Sequence, residues 1–225
     1  MNNKDKIILD LCGGTGAWSL PYRKAGYDVR VITLPDYDVI QWEHYYLITE
    51  PIKRQNVYGI LAAPPCTMFS FARTNAKKPR DLIGAMEIVR ACMTIIHLSQ
   101  MKLVSNTAKY TNLKFWALEN PYFGLLKNFI GKPAFIFDPW EFGDGYQKRT
   151  ALWGNFNEPI KNPVPMSAKA KAKAKTNSYL HTRGTKFDML KNKDIHSEAF
   201  GVFDSQARRS ITPAGFARAF FEANQ

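Results

Sequence analysis

Cysteine is scarce: Cys12, Cys66 and Cys92 are the only three in 225 residues. None are spaced as CxxC, and three thiols cannot build a disulfide framework. The four histidines, His44, His97, His181 and His196, show no ligand spacing to one another or to cysteine, so no metal site is expected. No run of about 18 apolar residues occurs, which argues against a membrane span. The start, MNNKDKIILDL, has too short an apolar run for a secretion signal and no small-residue cleavage site. A cytoplasmic protein is expected. Acidic residues are also few, 19 against 31 basic ones, and the net charge is +12. Such an excess favours a polyanionic partner, nucleic acid first. The run AKAKAKAK (168–175) carries four of those charges; without it the balance is still +8.

What is present is strand and helix in alternation. Lys6–Cys12, Tyr27–Leu34, Val57–Ala63, Lys114–Leu118, Ala134–Phe137 and Thr150–Trp153 read as strands. Ala17–Ala25 reads as a helix closed by Gly26. Asp81–Lys102 is the strongest helix, with Leu82, Ala85, Met86, Val89, Met93, Ile96 and Ser99 on one face. Pro213–Ala223 reads as an amphipathic helix with Thr212 as its N-cap. Val39–Thr49 is a short helix or turn. The alternation implies a mostly parallel sheet with helices on both faces, and ligands then bind at the carboxyl ends of the strands. Asn155–Arg208 is polar, basic and punctuated by Pro159, Pro163 and Pro165. The expected division is therefore a body of residues 1–154 plus 209–225 and a small basic insertion, 155–208.

Three strand ends carry unusual residues. DLCGGTGAW (10–18) sets a glycine-rich turn after the first strand, where backbone can approach a ligand closely. That pattern alone fits a nucleotide, a dinucleotide, S-adenosylmethionine or a plain tight turn. LAAPPC (61–66) places a thiol on two rigid prolines. Amino-group methyltransferases need a polar residue before such a diproline and an aromatic after it; here Ala63 and Cys66 stand in those places. A thiol suits cytosine, whose carbon 5 becomes nucleophilic once a thiolate has added to carbon 6. A buried structural cysteine is the alternative. FWALENP (115–121) puts Glu119 at another strand end, where the pairing edge of a base would be its useful partner. The alternative there is an ordinary surface glutamate before a turn.

In this order the motifs resemble the cytosine carbon-5 DNA methyltransferases, in the compact form common in bacterial viruses. DLCGGTGAW is similar to their methyl-donor loop, PPC to the nucleophile motif and ENP to the glutamate motif. GDGYQKRTALWG (143–154) resembles their segment of glutamine and alternating arginines, and ITPAGFARAFFEAN (211–224) their closing helix. The resemblance implies a Rossmann-like S-adenosylmethionine-dependent fold and methylation of a flipped cytosine with short or relaxed sequence preference. It makes Cys66 the nucleophile and Glu119 the base-edge partner, with Arg149 on the base and Gln147 ordering the loop. Asp10, Cys12, Gly13, Gly14, Thr15, Gly16, Trp18, Asp38 and Pro64 would line the donor. Ser70 and Arg73 would contact the nucleic acid from a loop after Cys66. Lys169, Lys171 and Lys173 would add phosphate contacts, which position DNA, single-stranded or duplex, without reading it.

Departures from the family pattern are specific. Cys12 replaces an aromatic, which leaves Trp18 as a substitute contact. Thr33 stands where an acid is expected, with Asp36 and Asp38 following. Ala151 replaces the second arginine. Pro35–Asn56 shows little strand pattern, so one family strand is missing, and the target-recognition region shrinks to 155–208. RNA or a nucleotide as substrate, a modified donor, and a catalytically silent donor-binding module remain open at this point.

Overall fold

The computed structural model describes residues 2–71, 73, 76–101, 113–144, 146–164 and 210–225. Among the described residues, six strands form one mixed sheet: β1 (Ile7–Leu11), β2 (Asp28–Ile32), β3 (Val57–Ala62), β4 (Phe115–Pro121), β5 (Phe135–Phe137) and β6 (Thr150–Asn155), in the order β2-β1-β3-β4-β6-β5. β1 to β4 run parallel, whereas β6 is antiparallel to both β4 and β5. The expected α/β architecture is therefore present.

Alternation along the strands sorts the core into two layers. Ile7, Leu9 and Leu11 pack with Ile48 of α2 (Tyr46–Arg54) and with α3 (Leu82–Gln100). Ile8 faces the other side, among Tyr22 of α1 (Leu20–Lys24) and Phe216 and Phe220 of a C-terminal helix, Ala214–Ala223. Gly59 pairs with Phe115 and lies beneath its ring; a Cβ there would lie 2.2 Å from Cζ. The second layer is aromatic, and Phe137 stacks on Phe216 with centroids 3.9 Å apart.

Helix α3 starts where its cap dictates: the Asp81 carboxylate accepts from Gly84 N at 2.9 Å. It ends at Gln100, short of the expected Lys102, which lies outside the described residues. Its buried face includes Cys92 and Ile95, while Leu82, Met86 and Met93 are only half-buried. By length and composition α3 could cross a membrane, yet here one face of it packs on the sheet.

Several boundaries differ from expectation. Helix α1 begins only at Leu20, because the glycine turn and Trp18 occupy the preceding positions. Residues 35–56 form a short 3-10 helix (Val39–His44) and then α2, and β2 is the edge strand of the sheet among the described residues. Strand β4 continues through Pro121, since β6 pairs with Glu119, Asn120 and Pro121. Thr212 does not cap the last helix; Pro213 is the cap residue, and Gly215 N donates to Asp144 Oδ2 at 2.9 Å.

A short helix, α4 (Lys127–Ile130), follows β4, and the C-terminal helix Ala214–Ala223 is α5. The first residues of the expected insertion pack on the body. Asn157 N and Nδ2 donate to Asn224 Oδ1 and Ala223 O, and Asn162 N donates to Glu141 O. The rest of that insertion, including Lys169, Lys171 and Lys173, lies outside the described residues.

Candidate active site

The glycine turn begins with a residue in an unusual state. Cys12 has φ of 55°, a left-handed conformation that costs a non-glycine residue about 1 kcal/mol or more. Its N–H donates to Ile32 O at 2.7 Å, which ties the turn to the end of β2. Gly14 and Thr15 are exposed, and a Cβ on Gly14 would meet nothing within 4 Å, so a ligand can reach this backbone. Gly16, with φ of 69°, is buried against Val31.

Two residues expected to line the donor lie underneath the turn instead. Asp10 is fully buried, and its Oδ2 accepts from the Ser19 hydroxyl at 2.5 Å. A Cβ on Gly13 would sit 2.5 Å from the Asp10 carboxyl carbon, so glycine is required where the turn crosses it. Burial pushes the Asp10 carboxyl up to about 6, against the opposing pull of Ser19 and the Arg23 charge. Trp18 is 2% exposed and packs edge-on to Phe220, which removes it from the open side. Both residues support the turn. Buried Asp10 Oδ1 and Trp18 Nε1 have no hydrogen-bond partner among the described residues.

Strand β3 delivers the cysteine. Ala63 N donates to Leu11 O at 2.9 Å, extending the pairing by one residue past β3. Pro64 is buried and its carbonyl accepts from Asn120 Nδ2 at 3.0 Å. That bond joins the diproline segment to β4 one residue beyond Glu119. Cys66 is half-buried and opens a tight turn, its carbonyl accepting from Phe69 N at 3.0 Å and Ser70 N at 2.8 Å. Ser70 bridges to Gly124 in antiparallel fashion, and Leu125 N donates to Phe69 O. Arg80 spans the same turn, donating to Met68 O and Ser70 O. Arg73 instead donates to Pro79 O within its own loop.

Glu119 stands on β4 with its side chain 18% exposed. Burial raises its carboxyl above the usual range, and Lys148 opposes that shift. The Lys148 ammonium is 3.9 Å from Glu119 Oε1. Arg149, expected over a base, is engaged elsewhere: its Nη1 donates to Asp138 Oδ2 at 2.9 Å, and its side chain is 45% exposed. Strand alternation is the reason. Glu119 pairs with Leu152, so positions counted back in twos, Thr150 and Lys148, share its face, and Arg149 does not. Gln147 is half-buried beside Lys148.

Asp38 has a structural task as well, since its Oδ1 accepts from Ile40 N at 3.0 Å and caps the 3-10 helix. A cleft of about 340 Å³ opens beside the diproline, lined by Ile40, Pro65, Thr67, Met68, Asp81 and Ile88 among others. Its volume is in the small-ligand range.

Sequence reasoning missed Lys148, Arg80 and Asn120. Asn120 lay within the quoted ENP motif. Lys148 needed the pairing register, and Arg80 had no signal beyond its place before the Asp81 cap. No protein-family model matches this sequence, and no curated protein matches it either.

Proposed function

We propose that the protein is an S-adenosylmethionine-dependent DNA (cytosine-5-)-methyltransferase of compact, phage-type form. The observation that carries this reading is the Asn120–Pro64 bond, which ties the cysteine segment to the carboxylate strand at one end of two adjacent parallel strands. The strand order supports a methyltransferase form of the Rossmann-like sheet, with β2 at its edge among the described residues. The exposed backbone at Gly14 and Thr15, and the apolar cleft between Ile40 and Pro65, fit a nucleoside-bearing donor. S-adenosylmethionine, when bound, supplies an electrophilic methyl group.

The residues then divide the work. The Cys66 sulfur adds to carbon 6 of a flipped cytosine, and the ring's electron density moves to carbon 5. Glu119, favoured in its protonated form by burial, donates to ring nitrogen 3 and withdraws charge from the ring. Lys148 balances whatever negative charge remains on the carboxyl or the ring. After substitution at carbon 5, water takes that carbon's proton, the bond from carbon 6 to sulfur breaks, and Cys66 leaves as thiolate while the ring double bond is restored.

The test is mass analysis of nucleosides from DNA treated with protein and donor. 5-Methylcytosine is expected with the wild type and is lost with Cys66→Ala, while donor binding persists. Undiminished transfer by Cys66→Ala refutes the mechanism. Trapping on a 5-fluorocytosine oligonucleotide separates an active enzyme from a silent binding module.

A further inference from the structure

We infer that Phe71 and Phe123 form a stacking platform for the bases flanking the target in an unpaired DNA strand. The inference rests on the nucleic-acid reading above and narrows it to single-stranded substrate. Phe71 is 45% exposed and Phe123 is 41% exposed. The antiparallel Ser70–Gly124 bridge sets these two residues opposite each other, as the neighbouring pair on the two bridged segments. Phe71 follows directly on the turn that Cys66 opens, and Phe123 lies two residues past the strand that bears Glu119.

Large rings left in water cost free energy unless a partner covers them. The patch is wider than two residues. Tyr122 meets Phe123 edge-on with centroids 5.1 Å apart, and Lys127 Nζ lies 4.6 Å above the Tyr122 ring. Cationic surroundings (Lys127, Lys148 and half-exposed Arg149) and a net charge of +12 complement a phosphate chain. Rings interleaved with cations are the surface chemistry that holds unpaired strands, where every base offers a face. In a duplex the flanking bases stack on one another and are not offered.

The test uses the full-length protein without donor, and a labelled deoxycytidine-containing oligonucleotide read by fluorescence anisotropy, single-stranded and annealed. Phe71→Leu and Phe123→Leu keep an apolar side chain and remove the aromatic face. A loss of about ten-fold in single-strand affinity is expected for at least one ring. The loss should be the same at low and high salt, because stacking releases no counterions. Unchanged melting temperatures confirm that the variants fold. Both variants within about two-fold of wild type on the single strand, or a larger loss on the duplex, overturns the proposal. Loss of single-strand affinity without any methyl transfer would instead sink the enzymatic reading and leave the platform standing.

Discussion

Replacing Asp10 by Asn tests the description of the glycine turn most directly. The Asp10 carboxyl is fully buried under Gly13, and burial raises it from its ordinary value of 3.8 to about 6. A carboxyl raised on folding contributes stability at low pH that is lost as pH rises from about 4 through about 6. At about 1.4 kcal/mol per pH unit, the charged form destabilises the native protein by roughly 3 kcal/mol at pH 8 relative to pH 3.5. Asparagine keeps the shape and never ionises. Any fixed cost of fitting its amide beside Ser19 is equal at all pH values and cancels in the difference. Denaturant unfolding of both proteins at several pH values should therefore show the variant gaining on the wild type by about 2–3 kcal/mol between pH 4 and pH 8. A stability difference that is flat with pH, or one that moves the other way, would mean that this carboxyl is hydrated or paired in solution and does not lie beneath the turn.

Lys148→Met should slow single-turnover transfer by roughly 100-fold, in line with the loss of one group that stabilises developing charge. Arg149→Met should affect transfer far less and lower stability by about 1–3 kcal/mol, because Asp138, with its side chain only 6% exposed, loses its partner. The opposite ranking in the transfer assay would restore Arg149 to the site. Asn120→Ala should slow transfer at saturating donor and leave the donor KM unchanged, since it frees the Pro64 carbonyl and lets the Cys66 turn drift. A variant that melts earlier but transfers at the wild-type rate would show that the bond only stabilises.

Much was legible in the chain itself. Apolar runs such as Ile7–Leu11 had to be buried strands, and their alternation with helices required a layered sheet. Local chemistry also placed Asp81 at the head of α3 and Gly26 just past α1, where its φ is 84°. Cys66 was recognisable as a thiol set on two rigid prolines, and Glu119 as a carboxylate at a buried strand end, which is costly without a partner. The strand's true end was misjudged, because Asn120 and Pro121 are kept extended by a partner strand far along the chain.

What the sequence determined by itself is the set of elements, the positive charge and the reactive side chains, since these depend on neighbours a few residues apart. Only the tertiary structure decided which of those side chains meet. The register of β6 against β4 gave Glu119 the company of Lys148 rather than Arg149. Folding placed Asp10 and Trp18 under the glycine turn. Side chains on a strand switch faces with every residue, so a pairing that long-range contacts alone select determines which cation the carboxylate meets.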